Sequence, residues 1–122
     1  DVYKNEDCEY IKSFPKQIEF SSSWFVKMQS GGHLTSHIHE DGWISGAIYL
    51  SIPKKTKTQD EGAIELSTHG DDYPIINDDF PKKVIKPKEG DVIFFPSSVF
   101  HRTIPFESDE ERICIAFDLK PS

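Results

Sequence analysis

Five histidines punctuate the chain: His33, His37, His39, His69 and His101. A single histidine carries little information, since a solvated or satisfied core imidazole is the ordinary case. His37-Ile38-His39 is different. In an extended chain residues i and i+2 project to the same side, so both imidazoles face one space. Two neutral imidazoles a few ångströms apart form a clamp for a divalent metal. His101, which follows the apolar run VIFFP at the start of a further strand, can supply a third ligand. Three protein ligands leave coordination positions open, as a catalytic centre requires. Asp41 offers an alternative, because His39-Glu40-Asp41 is itself a His-x-Asp spacing. The candidate ligand sets are therefore His37, His39 and His101, or His39, Asp41 and His101. A carboxylate would offset part of the metal's charge, whereas three imidazoles would leave it more cationic. Asp41-Gly42 also reads simply as a turn.

Arg112 is the second candidate. It opens the segment RICIAFDL, in which Ile113, Ile115, Phe117 and Leu119 share one face and Arg112, Cys114, Ala116 and Asp118 share the other. An arginine heading a row of small side chains suits a planar anion, which a guanidinium binds through two parallel hydrogen bonds. The competing reading is a salt bridge to the acids between Glu107 and Glu111.

These residues need a scaffold, and the pattern around them is that of short strands. No long amphipathic helical period occurs; aromatic and β-branched runs alternate with turn signals. Strands are predicted at Ser23–Gln29, Trp43–Ile52, Gly62–Ser67, Val84–Lys86, Val92–Phe95, Phe100–Ile104 and Arg112–Leu119. Pro53 and Pro96 close two of them. The polar stretch from Ser67 to Lys83 is predicted as a long loop, a candidate with Trp43 for the substrate side. Trp43 fits a core position equally well. Residues 1–22 are charged and irregular and are expected to form an arm or lead-in strand, with the domain proper over residues 23–122. Seven or eight short strands in one domain fit an all-β jelly roll or sandwich.

Bulk properties narrow the function. With 122 residues, 36% of them hydrophobic and 29% charged, the chain has one domain's length and a globular composition. The net charge of −7 argues against nucleic acid as the main partner. Lysines cluster at Lys54, Lys55 and Lys57 and at Lys82-Lys83, most simply as solvated loops. No apolar run reaches the roughly 20 residues of a spanning helix, and no basic-then-apolar leader opens the chain, so neither membrane nor secretion is expected. Two cysteines, Cys8 and Cys114, are too few for a disulfide framework and suit a reducing, cytoplasmic setting.

The order Gly31-Gly32, HIHEDGWISGAIYL, GAIEL, PKEGDVIFFPSSVFH and RICIAFDL resembles the 2-oxoglutarate- and Fe(II)-dependent oxygenases. It is most similar to the oxygenase group carrying an H-x-H-x-x-G-W-I-S type segment, found alone or after tetratricopeptide repeats. Prolyl hydroxylases are more distant relatives. The resemblance spans Ser23 to Leu119. It implies a double-stranded β-helix (a cupin-like jelly roll), Fe(II) held by His37, His39 and His101, and 2-oxoglutarate as cosubstrate. It also implies that Arg112, helped by Tyr49, binds the far carboxylate of 2-oxoglutarate. The reaction would be an O₂-dependent oxidation of the hydroxylase type on a small-molecule or peptidyl substrate. Prolyl hydroxylases have an aspartate where this chain has His39; related chains commonly have serine in place of Cys114 and tyrosine in place of Leu34. Two rivals are a three-histidine cupin-type dioxygenase that uses no 2-oxoglutarate, in which Arg112 has no task, and a non-catalytic partner-binding domain on the same fold.

Overall fold

The computed structural model describes residues 7–77 and 79–122. A four-residue helix, α1 (Glu9–Lys12), precedes eight strands: β1 (Ile18–Met28), β2 (Leu34–His37), β3 (Ile44–Ser51), β4 (Ile64–Ser67), β5 (Lys82–Ile85), β6 (Val92–Pro96), β7 (Phe100–Thr103) and β8 (Arg112–Pro121). They form two four-stranded sheets in the orders β1-β8-β3-β6 and β2-β7-β4-β5. All pairings are antiparallel. Consecutive strands alternate between the sheets except β4 and β5, which pair with one another. This interleaving is the two-Greek-key jelly roll, a double-stranded β-helix.

Strand edges depart from the sequence pattern for local reasons. The strand expected from Ser23 begins at Ile18, because β1 pairs with β8 from Ile18↔Pro121 to Met28↔Arg112, with one irregularity between Phe20 and Ser22. The serines there weaken the apolar alternation without breaking the ladder. Pro96, expected to stop its strand, is the last residue of β6. β6 lies at the sheet edge, where a missing N–H is tolerated.

The register decides which residues meet inside. Across β1, β8 and β3 the rows Ser22–Asp118–Ser45, Trp24–Ala116–Ala47 and Val26–Cys114–Tyr49 lie side by side, with Met28 opposite Arg112. These residues share the inner face. Most are small, which leaves room between the sheets for larger polar groups. The apolar row of β8 turns the other way. Phe20, Phe94 and Phe117 meet edge-to-face outside, at 5.6 and 5.7 Å between centroids. Phe117 lies over Gly46, where an added Cβ would come within 2.6 Å of the ring. Phe20, Phe94, Val92 and Ile115 on this outer face remain exposed. The alternation in RICIAFDL thus separates two faces, with the polar one buried.

Candidate metal and cosubstrate site

The pairing of β2 with β7 places His37 directly opposite His101. His39 follows two residues after His37 in the loop leaving β2. Ring centroids are 4.2 Å apart for His37 and His101, 4.9 Å for His39 and His101, and 5.2 Å for His37 and His39. One nitrogen of each imidazole lies within 4.8 Å of the others. The Nδ1–H of His37 donates to the Thr35 carbonyl at 2.7 Å, that of His101 to the Val99 carbonyl at 3.2 Å, and that of His39 to the Asp118 carboxylate at 2.6 Å. Each partner can only accept, so each Nδ1 carries a hydrogen, and the neutral form of each ring is the tautomer with its lone pair on Nε2. Burial, and then the neighbouring His37, push the His101 pKa down from 6.5 to about 4. It is therefore neutral at neutral pH, the form that ligates metal. Three imidazoles gathered in one pocket, each ring held from behind, are a donor set that fits a divalent ion.

Arg112 and Tyr49 line the same pocket. Both are buried, at 2% and 1% exposure. The guanidinium carbon sits 5.1 Å from the centroid of the Tyr49 ring. Burial pushes the Tyr49 phenol up to about 12, so it remains a hydroxyl at neutral pH. Arg112 Nε donates to the Gly62 carbonyl at 2.9 Å, and Nη1 lies 3.8 Å from Cys114 Sγ. Gly62 adopts a φ of 75°, left-handed backbone that favours glycine, and this turn aims its carbonyl at Arg112. Among the described residues no carboxylate pairs with Arg112. The chain's other arginine, Arg102, forks onto Glu65 at 2.9 and 3.1 Å. The acids between Glu107 and Glu111 turn elsewhere: Glu107 to Lys57, Glu110 to the backbone of Lys54 and Lys55, and Glu111 to Lys27. A buried guanidinium beside a carbonyl, a thiol and the Tyr49 ring, with no acid among the described residues, is costly, and a bound carboxylate would offset that cost.

The loop carrying His39 is pinned from behind. His39 N–H donates to the Ser97 carbonyl at 3.0 Å, and Ser97 N–H to the Trp43 carbonyl at 3.1 Å. Gly42 approaches so closely that an added Cβ would lie 2.4 Å from Ser97 Oγ. Asp41 is exposed in this turn and lies outside the histidine cluster. Asp41→Ala is accordingly expected to leave metal affinity within a few-fold in competition with a chelating indicator. A loss as large as that for His39→Ala would instead put the Asp41 carboxylate on the ion.

Other candidates sit away from the pocket. Trp43 stacks on Tyr10 at 4.7 Å and meets the edge of Phe14 at 5.1 Å, so it anchors the N-terminal segment. The tryptophan beside the histidines is Trp24, whose ring centroid is 5.3 Å from that of His39. Its inward place on β1 depends on pairing with β8, which strand-local patterning does not reveal. Asp118 shares Arg112's face by the alternation in RICIAFDL, but its contact with His39 comes from long-range folding. No described residue between Thr68 and Pro81 lines the pocket. Cys8 and Cys114 are both free. Among the described residues, no helix is long and apolar enough to cross a membrane.

Comparison with known proteins bears on this arrangement. Residues 22–118 match the family described as "Putative 2OG-Fe(II) oxygenase". No curated protein matches the chain. Among solved structures, a 2OG-Fe(II) oxygenase family oxidoreductase from Burkholderia pseudomallei superposes with a TM-score of 0.66 at 15% identity, covering 90% of this chain and 46% of that one. A Pseudomonas putida prolyl-4-hydroxylase gives 0.60 at 18% identity, with 88% and 55% covered. HygX from Streptomyces hygroscopicus, solved with nickel and 2-oxoglutarate bound, gives 0.62 at 10% identity, with 86% and 58% covered. The chain thus spans about half the length of each neighbour, and at these identities the likeness establishes the shared fold. The family match covers most of the chain, and it is on this match that the chain belongs to the 2-oxoglutarate- and Fe(II)-dependent oxygenase family.

Proposed function

We propose that this chain is the catalytic domain of an Fe(II)- and 2-oxoglutarate-dependent oxygenase of the hydroxylase type, with His37, His39 and His101 holding the metal and Arg112 and Tyr49 holding the cosubstrate. The observation that carries this reading is the pairing, in one pocket, of three converging imidazoles with a buried guanidinium that pairs with no acid among the described residues. Fe(II) held there would supply the chemistry by which 2-oxoglutarate and O₂ oxidise a substrate, leaving succinate and CO₂. The protein's share is binding and orientation. The three Nδ1 hydrogen bonds hold the rings so that Nε2 would be left to ligate the metal. Arg112 would fork onto the far carboxylate of 2-oxoglutarate, and the Tyr49 hydroxyl would donate alongside it. Val26, Ala47, Ile64 and Phe95 make much of the remaining wall apolar, which would limit water near the reacting atoms.

Trp24, 37% exposed beside His39, is our candidate for the substrate side. A peptidyl substrate and a small molecule are both compatible. One neighbour is a prolyl-4-hydroxylase, and HygX has also been solved with hygromycin B bound. Residues 23–122 would form the catalytic unit, with the preceding residues as its lead-in, and the free cysteines suit the cytoplasm. The test is aerobic incubation of the protein with Fe(II) and 2-oxoglutarate, with succinate followed by NMR. Slow succinate formation that needs both Fe(II) and O₂ is expected even without substrate. Metal-loaded protein that neither binds nor consumes 2-oxoglutarate would overturn the reading in favour of a three-histidine dioxygenase.

A further inference from the structure

A three-histidine site lacks the carboxylate that would offset the charge of Fe(II), yet a carboxylate stands directly behind it. Asp118 is 8% exposed, on the inner face of β8. Its Oδ1 accepts from His39 Nδ1 and from Ser45 Oγ, both at 2.6 Å. Its Oδ2 accepts from Ser22 Oγ at 3.3 Å. Ser45 is itself 2.8 Å from Ser97 Oγ. Since the Ser45 hydrogen is directed at Asp118, Ser97 donates to Ser45. The result is a chain of donors converging on Oδ1, Ser97 to Ser45 to Asp118, with His39 beside Ser45, whose Oγ also lies 3.3 Å from His39 Nδ1. His37 and His101 instead rest on backbone carbonyls.

We propose that Asp118 is the carboxylate of this metal site, set one imidazole away from the ion as a positioning residue. This rests on the function proposed above. Asp118 does two things through His39. It fixes the Nδ1–H tautomer, which leaves Nε2 free to ligate. It also draws the Nδ1 hydrogen toward a negative charge, which makes Nε2 a stronger donor and returns to the site part of the charge that a directly bound carboxylate would bring. The register that places Asp118 between Ser22 and Ser45 thus does at one remove what His-x-Asp does in prolyl hydroxylases.

The test has two readings on the whole chain. The first is the His39 tautomer in metal-free protein, from long-range proton–nitrogen correlations of ¹⁵N-histidine-labelled samples assigned with His39→Gln. Wild type should show His39 protonated on Nδ1, and Asp118→Ala should shift it toward a mixture. The second is Fe(II) affinity by anaerobic competition with a chromogenic chelator. Asp118→Asn can keep an oxygen on His39 but loses the charge. It should weaken Fe(II) by about 10–100-fold, the usual cost of removing such a partner. Ser22→Ala removes a contact to Asp118 without touching His39, and should stay within twofold. Thermal unfolding of each metal-free variant separates this loss from loss of the fold. Should Asp118→Asn fail to fold, Ser45→Ala serves in its place, with a smaller loss of metal expected. A wild-type-like Fe(II) affinity in folded Asp118→Asn, or an unchanged tautomer in Asp118→Ala, overturns the role of Asp118 alone. If wild type itself binds no divalent metal, the function proposal falls, and the role of Asp118 with it.

Discussion

His37→Ala is expected to lower divalent-metal affinity by more than the roughly 10–100-fold that an outer partner controls, since it removes one of three ligands. This position gives the cleanest reading of the three. His101 is buried against Phe95 at 4.6 Å between centroids, so His101→Ala would also leave a cavity. His39→Ala would strip Asp118 of its charge-assisted donor. His37 is only half-buried, and its partner is an exposed carbonyl that water can satisfy. Metal-free His37→Ala should therefore unfold at nearly the wild-type midpoint while isothermal titration shows the metal lost. Retained metal affinity in the variant would remove His37 from the ligand set.

Arg112→Ala carries the second large effect. Hydrogen bonds to charged groups contribute about 1.5–3 kcal/mol each. Losing a two-pronged contact with carboxylate should therefore cost ~3 kcal/mol or more, about a hundredfold or more in 2-oxoglutarate affinity. Metal affinity should stay near wild type, because none of the histidine anchors involves Arg112. The variant also leaves the Gly62 carbonyl without its donor, a cost of about 1–3 kcal/mol in stability, so affinity must be compared where both proteins are folded. Arg112→Lys should restore only part of the binding, since an ammonium cannot match the planar fork. Equal 2-oxoglutarate affinity in wild type and Arg112→Ala would take the guanidinium out of the cosubstrate site.

How far these residues could be read from sequence depends on the range of the contacts that place them. His37 and His39 share a side because of local strand geometry, and two-residue periodicity is enough to see that. Arg112 is similar, since alternation along RICIAFDL sets it apart from the isoleucines. His101 needed the resemblance to known oxygenases as well as its position after an apolar run. Its place opposite His37 is a fact of β2–β7 pairing. Trp24 lies on a strand whose local pattern gives no sign of function, and Asp118, though alternation sets it on Arg112's face, has nothing local that ties it to the histidines. Their roles come from register: Trp24 and Ala47 both lie opposite Ala116, and Asp118 opposite Ser22 and Ser45. Trp43 shows the converse. It sits next to the histidine motif in sequence, yet the N-terminal segment takes it away from the pocket. The eight-strand order itself is long-range, so composition and turn signals reach only an all-β fold; the double-stranded β-helix follows from the resemblance to known oxygenases, and the strand pairing bears it out.

On the function proposed here, one pocket holds both a metal on three histidines and 2-oxoglutarate on Arg112. The most direct test of that function is an anaerobic titration of 2-oxoglutarate into the Fe(II)-loaded protein, followed by heat and by visible absorption. One equivalent should bind, with growth of the weak metal-to-cosubstrate charge-transfer band, and both signals should fade together in Arg112→Ala. Saturable Fe(II) binding with neither heat nor band on adding 2-oxoglutarate would contradict it.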